Sequence, residues 1–165
     1  MAAQPPKRAR LTAQDRYDRL TREMLHQHSI RVRKWRSSMS GVAWEVEYAD
    51  GSRVKLIESP RPKSPMSASI FLHEVGHHAI GLGAFSPRCL EEYHAWAWSL
   101  ERMKEHDIEI TEAVLRRVHL SLWYAVDKAK RRGIRRIPDE LAPYLKRPAN
   151  ERRRSTPRPS NPSPR

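Results

Sequence analysis

A single cysteine, Cys89, occurs in 165 residues. No disulfide can form within such a chain, so it is not a small disulfide-stapled secreted scaffold. A reducing compartment is the matching environment. Long apolar runs are missing too. No window approaches the roughly 18 consecutive apolar residues of a membrane helix, and no membrane partner is expected. The first ten residues, MAAQPPKRAR, hold no apolar stretch, so no secretory signal is expected there and a cytoplasmic location is. Acidic residues are scarce at both ends. Residues 1–36 carry ten Lys/Arg against three Asp/Glu, and residues 146–165 carry seven against one. Between them the chain balances at fifteen of each sign, so the ends hold the whole net charge of +13. Such ends can attract nucleic acid weakly and without sequence preference, can attract an acidic protein, or can serve as solubilising tails. No interleaving of aromatic and basic residues marks a base-stacking surface. One inner stretch, 128-KAKRRGIRR-136, is also basic, and Lys128, Lys130, Arg131, Arg132, Arg135 and Arg136 are its candidate nucleic-acid contacts.

What is present suits one folded domain with a real core: 38% of residues are hydrophobic and 31% charged. The expected organisation is a disordered basic arm over 1–10, a domain over 11–146, and a Pro/Ser/Arg-rich disordered tail over 147–165. No internal repeat is visible. Residues 12–28 read as a helix, with Thr12 as N-cap, Asp15 in the capping box, and a stripe of Tyr17, Leu20 and Met24. Residues 30–35 read as a basic edge strand. In 42-VAWEVEY-48, Val42, Trp44, Val46 and Tyr48 alternate with Ala43, Glu45 and Glu47, and Asp50-Gly51 turns the chain into a partner strand over 53–58. A helix over 68–80, capped by Ser67 or Ser69, ends near Gly81 and Gly83. Further helices are expected over 89–106 and 111–132. The latter is capped by Thr111, ended by Gly133, and buries Leu115, Val118, Leu122, Ala125 and Val126. Residues 138–145 add one turn. The fold class is α+β, a short antiparallel sheet packed on the helix over 68–80.

That helix carries 71-FLHEVGHHAIG-81. His73 and His77 stand at i and i+4, one above the other, so both imidazoles can bind one ion. Glu74, one residue on, is poorly placed as a ligand and well placed to take a proton from a metal-bound water. This is the H-E-x-x-H arrangement, two ligands and a general base, and zinc is the metal that imidazole nitrogens suit. Paired histidines also occur on solvated helix faces, but Leu72, Val75, Ala79 and Ile80 surround these with apolar side chains. Gly76 costs a helix about 1 kcal/mol relative to alanine, which close approach of a substrate or of another helix would explain. A catalytic zinc takes a third protein ligand and keeps an open position. Glu91, Glu92 and His94 are the candidates, and helix geometry alone leaves the choice open, since residues two apart diverge by about 200°.

With these residues the sequence resembles the zincin metallopeptidases of the gluzincin kind, and more narrowly the small ImmA/IrrE-like group. The likeness covers roughly residues 42–105: His73-Glu74 with His77 in the first motif, Glu92-Tyr93-His94-Ala95 in a Glu-x-x-Ala second motif, and Trp98 where that helix commonly has a bulky aromatic residue. The resemblance implies a zincin-like domain, a zinc cofactor, a protein or peptide substrate, and Glu92 as third ligand. Two departures stand out. His94 occupies a place where the family often has a second acid, and the link from His77 is short. Family members often carry a DNA-binding domain, whereas no helix-turn-helix is evident here.

Around the motif, His78 is expected at the surface or orienting a ligand. His119, Tyr93 and Tyr124 are candidates to steady an oxyanion. Trp96, Trp98 and Trp123 read as packing residues, and His106 sits at a helix end where positive charge is favoured. Cys89 reads as structural. Two functions are therefore expected in competition. One is a zinc peptidase with Glu74 as base. The other is a basic nucleic-acid-associated adaptor whose zinc is structural and is closed by a fourth ligand such as His94 or His78. The oligomeric state is not legible.

Overall fold

The computed structural model describes residues 11–149. The expected basic arm over 1–10 and most of the tail lie outside the described residues. Helix α1 (Ala13–Gln27) begins in the expected capping box: Thr12 Oγ1 accepts from the Asp15 N–H at 3.1 Å, and the Asp15 carboxylate accepts from the Thr12 N–H at 2.9 Å. It buries Leu20 and Met24. Three strands follow: β1 (Ile30–Arg36), β2 (Val42–Glu47) and β3 (Arg53–Pro60). The turn from β2 into β3 is the expected one. Gly51 takes φ +82°, and Asp50 Oδ1 accepts from the Ser52 N–H at 2.9 Å.

The sheet is mixed, not antiparallel. Its order is β1-β3-β2, with β2 antiparallel and β1 parallel to the central β3. The basic strand therefore does lie at an edge. The correction arises because β1 skips its sequence neighbour, so the link over 37–41 must pass the end of β3. Buried Glu58, at that end, holds the crossing by accepting from Arg33 and from Arg36 Nε at 2.9 Å. Arg36 also donates to Ser40 Oγ at 3.1 Å. On β2, Ala43 packs against the core and Glu45 approaches His78 of the next helix. The apolar row of the alternation points the other way, and Val42 and Tyr48 are exposed.

Helix α2 (Pro65–Ile80) starts three residues earlier than expected. Ser64, not Ser67 or Ser69, is the N-cap, and it forms a reciprocal box with Ser67. Pro65 follows at the first helical position, where its fixed φ helps and its missing N–H costs nothing. The helix is buried on nearly every side, as one that is apolar all round must be. Helix α3 (Arg88–Glu105) crosses it at Gly76, where an added Cβ would lie 2.9 Å from the Ala95 carbonyl oxygen. Helix α4 (Glu112–Arg131) is capped by Thr111. Its buried seam is Val114, Val118, Leu122 and Val126, an i, i+4 row, followed by Ala129 three residues on. Leu115, expected inside, is 50% exposed because it lies off that row. Residues Asp139–Tyr144 form the expected extra turn as a 3-10 helix. Beyond it Arg147 covers the Trp123 ring at 5.3 Å and the Ala149 carbonyl accepts from Arg116, so the start of the tail lies along α4.

Candidate metal centre and cleft

One turn of α2 and one turn of α3 meet at the centre. His73 and His77 place their Nε2 atoms 3.2 Å apart. Glu92, on α3, brings Oε2 to 3.1 Å from His73 Nε2 and Oε1 to 3.6 Å from His77 Nε2. These three residues each offer one ligand atom, all within 4.8 Å of one another. The chemistry of the set fits a metal cation. Two imidazole lone pairs facing each other at this distance repel unless a proton or a cation lies between them. Two nitrogens and a carboxylate are a donor set that zinc accepts.

Glu91 has a different place. Its side chain is 1% exposed, and its Oε1 accepts from the His77 Nδ1–H at 3.0 Å. The same carboxylate accepts from Arg88 at 2.9 Å and from the Gly83 N–H at 2.8 Å. Holding the proton on Nδ1 turns the Nε2 lone pair of His77 toward Glu92. His73 is held by stacking instead, with Trp96 at 4.1 Å between centroids. Burial lowers the His73 pKa to about 4. Burial would also lower His77, but Glu92 and Glu74 outweigh it and its pKa rises. Burial alone would raise Glu92, but the two imidazoles hold it far below the ordinary carboxylate range.

Glu74 stands beside this group without joining it. It is 5% exposed, and burial raises its pKa to about 7. The link over 37–41 closes on it. A Cβ on Gly41 would sit 2.5 Å from both Cγ and Oε1 of Glu74. A cavity of about 960 Å³ takes in Gly41, Glu74, His73, His77, Glu92 and Arg117, and continues along α4. Arg117 donates to Ser121 Oγ at 3.3 Å and to the Met39 carbonyl at 2.7 Å, and the second bond ties the link to α4.

Other predicted residues fall elsewhere. His94 stacks on Phe85 at 4.0 Å and is outside the ligand group. His78 is buried rather than at the surface. Its Nε2–H donates to the Leu56 carbonyl at 3.0 Å, tying α2 to β3. Of the three oxyanion candidates, Tyr124 lines the cavity. His119 instead pairs with the Lys146 carbonyl at 3.1 Å, and Tyr93 packs near Tyr144. Trp96 and Trp123 line the cavity, while Trp98 meets Gly76 and the edge of His28. Burial pushes the Cys89 thiol up, in keeping with a structural residue. Within the basic stretch, Lys128 and Arg132 line the cavity, Arg131 pairs with Asp127 at 2.9 Å, and Lys130, Arg135 and Arg136 are exposed outside it. Sequence reasoning missed Gly41 and Arg117. Their only signal is spatial, since neither belongs to a local motif.

No family model, curated protein or solved structure matches the chain.

Proposed function

We propose that the protein is a zincin-type, zinc-dependent peptidase. The observation that carries this reading is Glu74: a buried carboxylate in the same cavity as two imidazoles and a glutamate, and not one of them. His73, His77 and Glu92 would hold the zinc, with Glu91 fixing the tautomer of His77. A zinc ion held there supplies a Lewis acid for the scissile carbonyl and an acidified water. Glu74 takes the proton of the attacking water and delivers it to the leaving amine nitrogen. Arg117 and Tyr124 line the cavity and can offer a positive charge and a hydroxyl to the oxygen on which negative charge develops.

A structural zinc would be closed by a fourth protein ligand. The two histidines available for that, His94 and His78, are stacked on Phe85 and bonded to Leu56 instead. Three donors beside an open cavity favour the enzyme over the adaptor.

The test incubates a cell extract with the wild type or with Glu74→Gln and compares new protein N-termini by mass spectrometry. The variant removes the proton acceptor at constant size. It should keep the fold and about one zinc per chain while losing hydrolysis by roughly a hundred-fold or more. Identical profiles across several extracts, together with four protein ligands on the metal, would sink the peptidase reading in favour of the structural one.

A further inference from the structure

We propose that the cleft beside Glu74 selects peptides carrying an acidic side chain within about five residues of the bond that is cut. This rests on the peptidase reading and adds the substrate class. One face of α4 and the capping residue after it form a wall of the cleft: Arg117, Ser121, Tyr124 and Lys128, then Arg132, recur three or four residues apart, and all line it. From Arg117 to Lys128 the helix rises roughly 16 Å. An extended peptide covers that span with about five residues.

The charge of the cleft is uneven. Its carboxylates are Glu74 and Glu92, both at the metal centre. Its cations are Arg88, Arg117, Lys128 and Arg132. Arg88 is engaged by Glu91 at 2.9 Å and by Glu92 at 3.2 Å. Arg117 donates to the neutral Met39 carbonyl and Ser121 hydroxyl, and the Glu74 carboxylate acts on it only through space. Among the described residues no carboxylate pairs with Lys128 or Arg132, although Asp127, on the same helix, pairs with Arg131 at 2.9 Å. A peptide would bring a neutral amide to the carboxylate end and an acidic side chain to the basic end. The peptidase reading makes the occupant a peptide; a nucleic-acid strand can also meet these cations, and the DNA arm of the experiment separates the two.

The experiment uses the full chain as Glu74→Gln, supplied with zinc, so that binding is read without turnover. Three pools of fluorescein-labelled decapeptides, Asp/Glu-rich, neutral and Lys-rich, are titrated by anisotropy alongside a single-stranded DNA of equal length. The acidic pool should bind at least ten-fold tighter than the neutral one. Lys128→Glu combined with Arg132→Glu should erase most of that preference while zinc content stays at the parent level. Both substitutions are at exposed positions. Equal affinity for the three peptide pools overturns the proposal. So does a loss confined to DNA in the double variant, which would make this face a nucleic-acid contact. Incubating the wild type with the acidic pool then tests hydrolysis separately. Selective binding without cleavage would sustain the cleft's preference and sink the peptidase reading.

Discussion

At position 41 the chain has space for hydrogen and little else, because the Glu74 carboxylate lies where a side chain would begin. Gly41→Ala should displace Glu74 and lower hydrolysis by about a hundred-fold, the scale of a one-ångström misplacement. Zinc content, measured by metal analysis, should not change. A variant that loses zinc along with activity would show that Gly41 supports the ligands instead. The proposed ligands divide by what each carboxylate touches. Glu92→Ala should weaken zinc most in a chelator-competition titration. Glu91→Ala, which releases His77 Nδ1, should cost about 10- to 100-fold in affinity, and His94→Ala should cost little. A larger loss at His94 than at Glu92 would show that the third donor is misassigned. His73, Glu74 and His77 were legible in the sequence because one helical turn determines their arrangement. The choice among Glu91, Glu92 and His94 was not, since it depends on how α3 crosses α2. Gly41 and Arg117 arrive from distant parts of the chain and leave no local pattern.

Between elements, the closest approach is α2 on α3 at Gly76. Alanine there gains about 1 kcal/mol of helix propensity. Its Cβ would also meet the Ala95 carbonyl oxygen at 2.9 Å and Trp98 Cε3 at 3.2 Å. The backbone oxygen cannot swing aside, so the clash should win. Gly76→Ala should destabilise the fold by about 1–3 kcal/mol in urea unfolding, and a stabilised variant would contradict the crossing. His28, between α1 and β1, gives a pH-dependent counterpart. Burial lowers its pKa from 6.5, with Lys55 and Arg102 adding to the effect. The native state therefore binds fewer protons than the unfolded chain below pH 6.5, and stability falls as pH drops through that value. His28→Gln should flatten this part of the stability profile relative to wild type, and an unchanged slope would assign it to other histidines. Helices α1 and α4 were readable because their caps and periods are local, whereas α2, buried on nearly every side, begins at Ser64 and not at Ser67 or Ser69. The parallel pairing of β1 was not, because hydrophobic alternation says nothing about which neighbour a strand chooses. Nor did alternation tell which face of β2 meets the helix. There Ala43 and Glu45 lie on the helix side, and of the apolar row Val42 and Tyr48 are exposed while Trp44 and Val46 are half-buried.

Over the whole molecule, the charge asymmetry read from the sequence has to be redistributed once the fold is known. Of the ten Lys/Arg in residues 1–36, seven fall in 11–36, in or beside α1 and β1. Cutting the chain at residue 37 would thus remove Leu20, Met24 and Ile30 from the core and β1 from the edge of the sheet. The test of the basic ends must spare these elements and delete only 1–10 and 150–165. Those two segments carry eight Lys/Arg and one glutamate, a net +7 of the total +13. Counterion release makes nucleic-acid affinity fall with salt in proportion to the number of phosphates neutralised. If the ends make the contacts, the trimmed chain should bind a random duplex at least ten-fold more weakly at low salt. Its log affinity should also fall less steeply with log salt. Its urea midpoint should match that of the full chain, since no described core residue is removed. Unchanged DNA affinity and slope would place the contacts on the folded part. Lys130, Arg135 and Arg136 would then be the first residues to change, because they are exposed and lie outside the cleft that Lys128 and Arg132 line.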